Sequence, residues 1–126
     1  MKKIINTPNA PAPIGPYNQA VLSGNTLYTS GQIAFNVKTE TFILEDIKSE
    51  TKQVMENLKA VLKAADMSFE NVVKTTIFIS DMNNFAQINE VYGLYFNPET
   101  APARETVQVA RLPKDVNVEI SMIAVK

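Results

Sequence analysis

The sequence contains no cysteine and no histidine. Those two absences remove disulfides, thiolate nucleophiles, Cys/His zinc sites and every Ser-His or Cys-His relay. Any general acid or base must then be Asp, Glu, Lys, Tyr, a main-chain group or water. Glycine is scarce as well, with only Gly15, Gly24, Gly31 and Gly93. They form neither a dinucleotide fingerprint nor a phosphate-binding loop, both of which need clustered glycines so that main-chain N–H groups can approach phosphate. Basic runs are also missing. No Lys/Arg run exceeds Lys2-Lys3, and 12 Lys plus Arg against 13 Asp plus Glu leave a net charge of −1. A nucleic-acid partner is therefore not expected. The opening MKKIINTPNA holds too short an apolar run for a secretory core or the ~20 residues of a membrane span, so a cytoplasmic protein with no membrane partner is expected.

What is present fits one folded unit. A chain of 126 residues falls below the ~150-residue working size of a domain, which predicts a single domain over residues 1–126. Apolar residues at 45% and charged residues at 20% exclude disorder and collagen-like order. Prolines cluster in PNAPAPIGPY, whose fixed φ angles predict an ordered loop lying over the domain and closed by Tyr17. QAVLS and NTLYTSGQIAF read as β-prone runs joined at Ser23-Gly24-Asn25. From Asp46 to about Asp66 the apolar period lengthens, with Ile47, Val54, Leu58, Val61, Leu62 and Ala65 on one stripe, so an amphipathic helix capped by Asp46 is predicted. NVVKTTIFIS then reads as a central strand. A second helix is predicted from Asn83 or Asn84, with Asn84 and Gln87 at capping-box spacing, and it carries Phe85, Ile88, Val91, Tyr92, Tyr95 and Phe96 to Asn97-Pro98. ARETVQVA and VNVEISMIAVK close the chain as two strands around a turn at Leu112-Pro113-Lys114-Asp115.

This order predicts an α+β layer with both helices on one face of a mainly antiparallel sheet. On the other face the two-residue repeat places Arg104, Thr106 and Gln108 from one strand and Asn117, Glu119 and Ser121 from the next. Strands this rich in Val and Ile pack on both sides, so a self-complementary assembly with polar pockets at its seams is expected.

Arg104 stands at the start of a strand after Ala101-Pro102-Ala103, where a guanidinium fork suits a carboxylate; the bland reading is an ion pair with Glu105 or Glu119, or a plain surface arginine. Glu119 between Val118 and Ile120 suits proton transfer to or from water, or else pairs across strands with Arg104. Tyr17 fits a hydrogen-bonding pocket wall or simple core packing. Gly31 after Ser30 permits close main-chain approach to a ligand, or marks a bulge. Asn89, polar among apolar helix neighbours, reads as solvent-facing from the residues alone, and Arg111 as an ordinary turn-side arginine.

The strings IGPYNQA, YTSGQIAFN, NLKAVLKAA, VVKTTIFISDMNNFAQINEVY and PARETVQVARLPKDVNVEI, in order over nearly the whole chain, resemble the Rid family of reactive intermediate and imine deaminases. The resemblance implies a chorismate-mutase-like fold, a homotrimer with an inner barrel, and three clefts between subunits. It implies hydrolysis of 2-imino acids, such as 2-iminopropanoate and 2-iminobutanoate, to 2-oxo acids and ammonia, with no cofactor and no metal. Carried over by motif, Arg104 would clamp the substrate carboxylate with the Gly31 N–H, the Thr106 carbonyl would hold the imino nitrogen, and Glu119 would orient or activate water. Tyr17, Ser30 and Asn89 match supporting positions. Many relatives carry Cys where this chain has Thr106, a change that a main-chain role survives. The rival reading is a non-catalytic trimer that binds small carboxylates or regulates a partner, for which the lack of a basic patch disfavours RNA.

Overall fold

The changes of period along the chain become strands and helices in the computed structural model, which describes residues 1–126. A first strand that the sequence pattern did not signal, β1 (Lys2–Ile5), precedes the proline-rich loop. The hairpin strands β2 (Ala20–Ser23) and β3 (Thr26–Thr29) follow, with Gly24 at φ 58° making the turn between them. A small ribbon of β4 (Phe35–Asn36) and β5 (Thr41–Phe42) leads into helix α1 (Ile47–Ala64). Then come β6 (Val72–Ile79), helix α2 (Phe85–Gly93), β7 (Ala103–Gln108) and β8 (Val118–Val125).

Helix α1 starts as its sequence dictates: the extended Asp46 accepts a 2.8 Å hydrogen bond from the Ser49 N–H. Its apolar stripe of Val54, Leu58, Val61 and Leu62 is fully buried, each side chain contributing about 1.5–3 kcal/mol by leaving water. Against it pack Val118, Ile120, Met122 and Ala124, the alternate residues of β8. Helix α2 departs from expectation at both ends. Asn84 makes no capping bond because the chain is already helical there, in a 3-10 turn over Met82–Asn84 that Asp81 caps through the Asn83 N–H. At the other end the helix stops at Gly93, so Tyr95 and Phe96 leave it and stack edge-on against Phe69, at 5.3 Å each.

The six-stranded sheet has the order β1-β2-β3-β8-β6-β7. All neighbours are antiparallel except β6 and β7, which run parallel because α2 occupies the crossover between them. Both helices cover one face. The other face presents a row of Ile4, Val21, Tyr28 and Ile123 in register, with Phe78 and Val107 further along. Ile4, Tyr28 and Val107 there are 42, 50 and 41% exposed.

Register corrects the expected placement of Arg104, Thr106 and Gln108. They pair with Thr75, Ile77 and Ile79, whose side chains lie under the helices, so all three point to the helix side. Glu119 and Ser121 pair with Phe78 and Thr76 and occupy the opposite face, as predicted. Polarity misassigns β7 because it is an edge strand beside a nine-residue helix: both of its faces reach solvent, so polar residues need not face away from the helices. Asn117 is corrected too. Its side chain turns to the buried Glu50 carboxylate of α1 at 2.8 Å rather than to the uncovered face.

Candidate functional site

The predicted residues gather in two places. The first is a cavity of about 710 Å³ that brings together Tyr17, Ser30, Gly31 and Glu119, with Lys114 at its wall and Ile14, Ile33, Phe35 and Phe42 as apolar lining. Its frame is the proline-rich loop, whose many prolines leave carbonyls that no neighbouring N–H satisfies. Gln19, almost fully buried, answers them: its amide nitrogen donates to Thr7, Ala10 and Pro11 carbonyls at 2.8–3.1 Å, and its side-chain oxygen accepts from the Thr7 N–H at 2.7 Å. Next along, the Ser30 N–H donates to the Gln19 carbonyl and the Ser30 hydroxyl to the Asn18 carbonyl, at 2.8 and 2.6 Å. Tyr17 is half exposed at the mouth, and its hydroxyl accepts from the Ile14 N–H.

Gly31 is held beside Glu119 by the next residue, since Gln32 exchanges two main-chain hydrogen bonds with Ile120, at 2.8 and 3.1 Å. A Cβ on Gly31 would lie 2.7 Å from the Glu119 carboxyl carbon, so only glycine leaves the carboxylate in place. Partial burial pushes the Glu119 carboxyl above its ordinary value. Strand β8 is anchored just before it by the fully buried Glu50, which accepts from the main-chain N–H of Asn117 and Val118 as well as from the Asn117 amide. Such a carboxyl, raised and beside a void, is suited to accept and return protons.

The second place is the rim where β7 meets α2. Arg104 donates from Nη1 to Asn89 Oδ1 at 2.7 Å, and its guanidinium lies 4.9 Å from the Tyr92 ring centroid and 5.7 Å from that of Phe85. The Tyr92 hydroxyl in turn donates to Thr75 at 2.9 Å. Arg104 has no carboxylate partner: Glu105 pairs with Lys74 at 3.4 Å, and Glu119 lies across the sheet. Its guanidinium is thus braced with most of its donors uncommitted. Asn89 is exposed, as its residue pattern indicated, and is at the same time that brace. Thr106, two residues along, carries a buried hydroxyl without a partner. Because the Val109 N–H donates inward to the Ile79 carbonyl, the strand's two-residue repeat turns the main-chain groups of Thr106 to the open sheet edge.

Arg111 forms a bidentate pair with Asp115 and belongs to neither place. Another cavity of about 710 Å³, beside α1, contains Lys38, Lys59 and Lys63 but none of the predicted residues. No three or more His, Cys, Asp or Glu side chains are placed to hold a metal ion. Sequence reasoning missed Gln19, Glu50 and Lys114. The signal for Gln19 was its position beside a loop of prolines that cannot satisfy one another.

Fold and cavity define a small α+β protein that offers a partly buried carboxyl beside a cavity and a braced guanidinium. The model of the family described as endoribonuclease L-PSP matches residues 7–126, and the chain belongs to this family, the RutC or Rid family. A RutC family protein of Pyrococcus horikoshii is 53% identical over 126 residues, covering 100% of this chain and 99% of its own. A 2-iminobutanoate/2-iminopropanoate deaminase of Salmonella typhimurium is 48% identical over 128 residues, covering 100% and 99%. The crystal structure of Escherichia coli TdcF with bound serine superposes with a TM-score of 0.92 at 48% identity, covering 98% of each chain. No helix is long and apolar enough to cross a membrane.

Proposed function

We propose that the protein is a cytoplasmic homotrimer that hydrolyses small 2-imino acids to 2-oxo acids and ammonia, in clefts assembled from two protomers. One observation carries the reading: Arg104 and Glu119 sit on opposite faces of the same sheet, so one chain cannot present both to one small molecule. Two copies can. The uncovered apolar row on the Glu119 face and the unpaired edge of β7 are surfaces that a folded protein covers by assembly. Serine bound to TdcF and the deaminase named at 48% identity support a cleft for a small amino-acid-like carboxylate.

In this cleft the Arg104 fork takes the substrate carboxylate, aided by the Gly31 N–H, and fixes the imine carbon in position. The outward Thr106 carbonyl accepts from the iminium nitrogen. A protonated imine is electrophilic enough for water to attack directly. Glu119 accepts a proton as the water oxygen bonds to C2 and returns it to nitrogen; as the carbinolamine C–N bond then breaks and C=O forms, Glu119 takes the hydroxyl proton and passes it to the departing ammonia, which leaves as ammonium. Tyr17, Ser30 and Asn89 position these groups. Thr106 in place of the Cys of many relatives leaves the main-chain role intact.

The test is ammonia release from freshly generated 2-iminobutanoate by the wild type, Arg104→Ala, Glu119→Gln and a trimer of the two variants co-expressed. Each variant alone is inactive, and the mixed assembly recovers about a quarter of the clefts by random pairing. Mixed assemblies that stay inactive would sink the two-protomer cleft. Wild type no faster than buffer would sink the deaminase reading.

A further inference from the structure

Pro113-Lys114-Asp115 forms a short turn with two adjacent residues in the left-handed region, Lys114 at φ 59° and Asp115 at φ 56°. For residues with a Cβ this conformation costs roughly 1–2 kcal/mol each, and neither position is filled by glycine or asparagine, which adopt it most readily. The turn is nonetheless fixed. Arg111 grips the Asp115 carboxylate with two hydrogen bonds, of 2.5 and 3.1 Å, and the Asp115 N–H donates to the Leu112 carbonyl at 3.0 Å. The result is that Lys114 is held at the wall of the Glu119 cavity.

Lys114 and Glu119 are the only charged side chains lining that cavity. They do not pair: none of the ion pairs involves Lys114, and burial alone accounts for the raised Glu119 carboxyl, with no cation opposing it. Lys114 is thus an exposed cation at the cavity's wall with no ion-pair partner. The rest of the lining is largely apolar, and its 710 Å³ exceeds what a three- or four-carbon acid fills. A second carboxylate on a substrate would be costly in such surroundings unless a cation received it.

We propose that Lys114 determines specificity by receiving the distal carboxylate of 2-imino dicarboxylates, so that the cleft takes imines derived from acidic amino acids as well as neutral ones. This rests on the deaminase reading, in which Arg104 of the neighbouring protomer takes the carboxylate next to the imine. The reaction is unchanged: water adds to C2, the C–N bond breaks, and ammonia and a 2-oxo diacid leave.

The test compares wild type, Lys114→Asn and Lys114→Arg on 2-iminosuccinate and 2-iminobutanoate, each generated in place by an amino-acid oxidase. Asparagine removes the charge while tolerating the left-handed turn. The expected result is that Lys114→Asn lowers the ratio of kcat/KM for the diacid over the monoacid by roughly tenfold, and Lys114→Arg restores it. Competitive inhibition gives the same contrast without turnover: Lys114→Asn weakens 2-oxoglutarate and spares 2-oxobutanoate. An unchanged ratio, or equal losses on both substrates, overturns the proposal. Wild type that hydrolyses 2-iminobutanoate but not 2-iminosuccinate overturns it too and leaves the deaminase reading standing, whereas hydrolysis of neither removes both.

Discussion

The Glu119 cavity and the Arg104 rim are built on different principles. The cavity is a frame of main chain: Gln19 ties the proline-rich loop, Gly31 is set by the Gln32–Ile120 pair, and Glu50 anchors the start of β8. The rim is a single long side chain on an edge strand, steadied by Asn89 and two aromatic rings. The first is framed by its own chain and open at the mouth. The second is open at the sheet edge. On the proposed reading, a site that divides in this way would tie chemistry to assembly: the group assigned to move protons is set within a protomer, and the group assigned to recognise the acid would depend on where two protomers meet.

The sharpest break in that comparison is at the rim. Arg104→Ala is expected to lower kcat/KM by about a thousandfold or more, the loss of two charge-assisted hydrogen bonds at about 1.5–3 kcal/mol each, while the melting temperature of the protein stays close to wild type. Arg104→Lys recovers only a small part, because a point charge does not reproduce the fork. Steady-state ammonia release beside thermal unfolding checks both. A variant that loses activity only by unfolding would place Arg104 in the structure rather than in recognition.

Breaking the frame comes next. Gly31→Ala drives a methyl group into the Glu119 carboxyl, which must move, and kcat is expected to fall about a hundredfold. A crystal structure of the variant would show the displaced carboxylate. If kcat is unchanged, Glu119 has no role that depends on its place. Weaker still is the brace: Asn89→Ala frees the guanidinium without removing it, and an approximately tenfold rise in KM with stability within about 0.5 kcal/mol of wild type is expected. Gln19→Ala provides the contrast. It strands one buried and two partly buried carbonyls and is expected to cost about 3 kcal/mol of stability in urea unfolding, the frame failing before the chemistry.

How much of this could be read in the residues follows the same division. Helix α1 and its Asp46 cap, the alternation of β8 and the turn at Leu112–Asp115 are local, and local pattern was enough. The strings that resemble the Rid family contain Tyr17, Ser30, Gly31, Asn89, Arg104, Thr106 and Glu119. The face on which Arg104 lies was not legible, because it depends on β7 pairing parallel to β6, a contact between strands that no spacing within β7 reports. Asn84 satisfied the spacing of a capping box, yet Asp81 had already begun the turn. Glu50 was invisible for a related reason: a buried polar residue is recognised by the partners it satisfies, and those lie 67 to 68 residues away in sequence, whereas the partners of Gln19 lie 8 to 12 residues away in the adjoining proline-rich loop.

The smallest expected effect separates function from stability at one atom group. The folded Glu119 carboxyl titrates above its ordinary value of 4.5 because burial disfavours the charge. Between that ordinary value and the raised one, the folded protein keeps a proton that the unfolded chain has released, so folding loses stability as pH rises through the interval. Below the interval both states are protonated and the penalty vanishes. Glu119→Gln carries no ionisable group, so its advantage over wild type is expected to be absent near pH 4 and to grow until the folded carboxyl is ionised. Urea midpoints for the two proteins across this range measure the difference, in which the other carboxylates cancel. An inactive variant that is more stable at neutral pH means that the protein holds Glu119 where it works at a cost to its fold. A difference that does not change with pH would mean that the carboxyl is solvated and its burial plays no part.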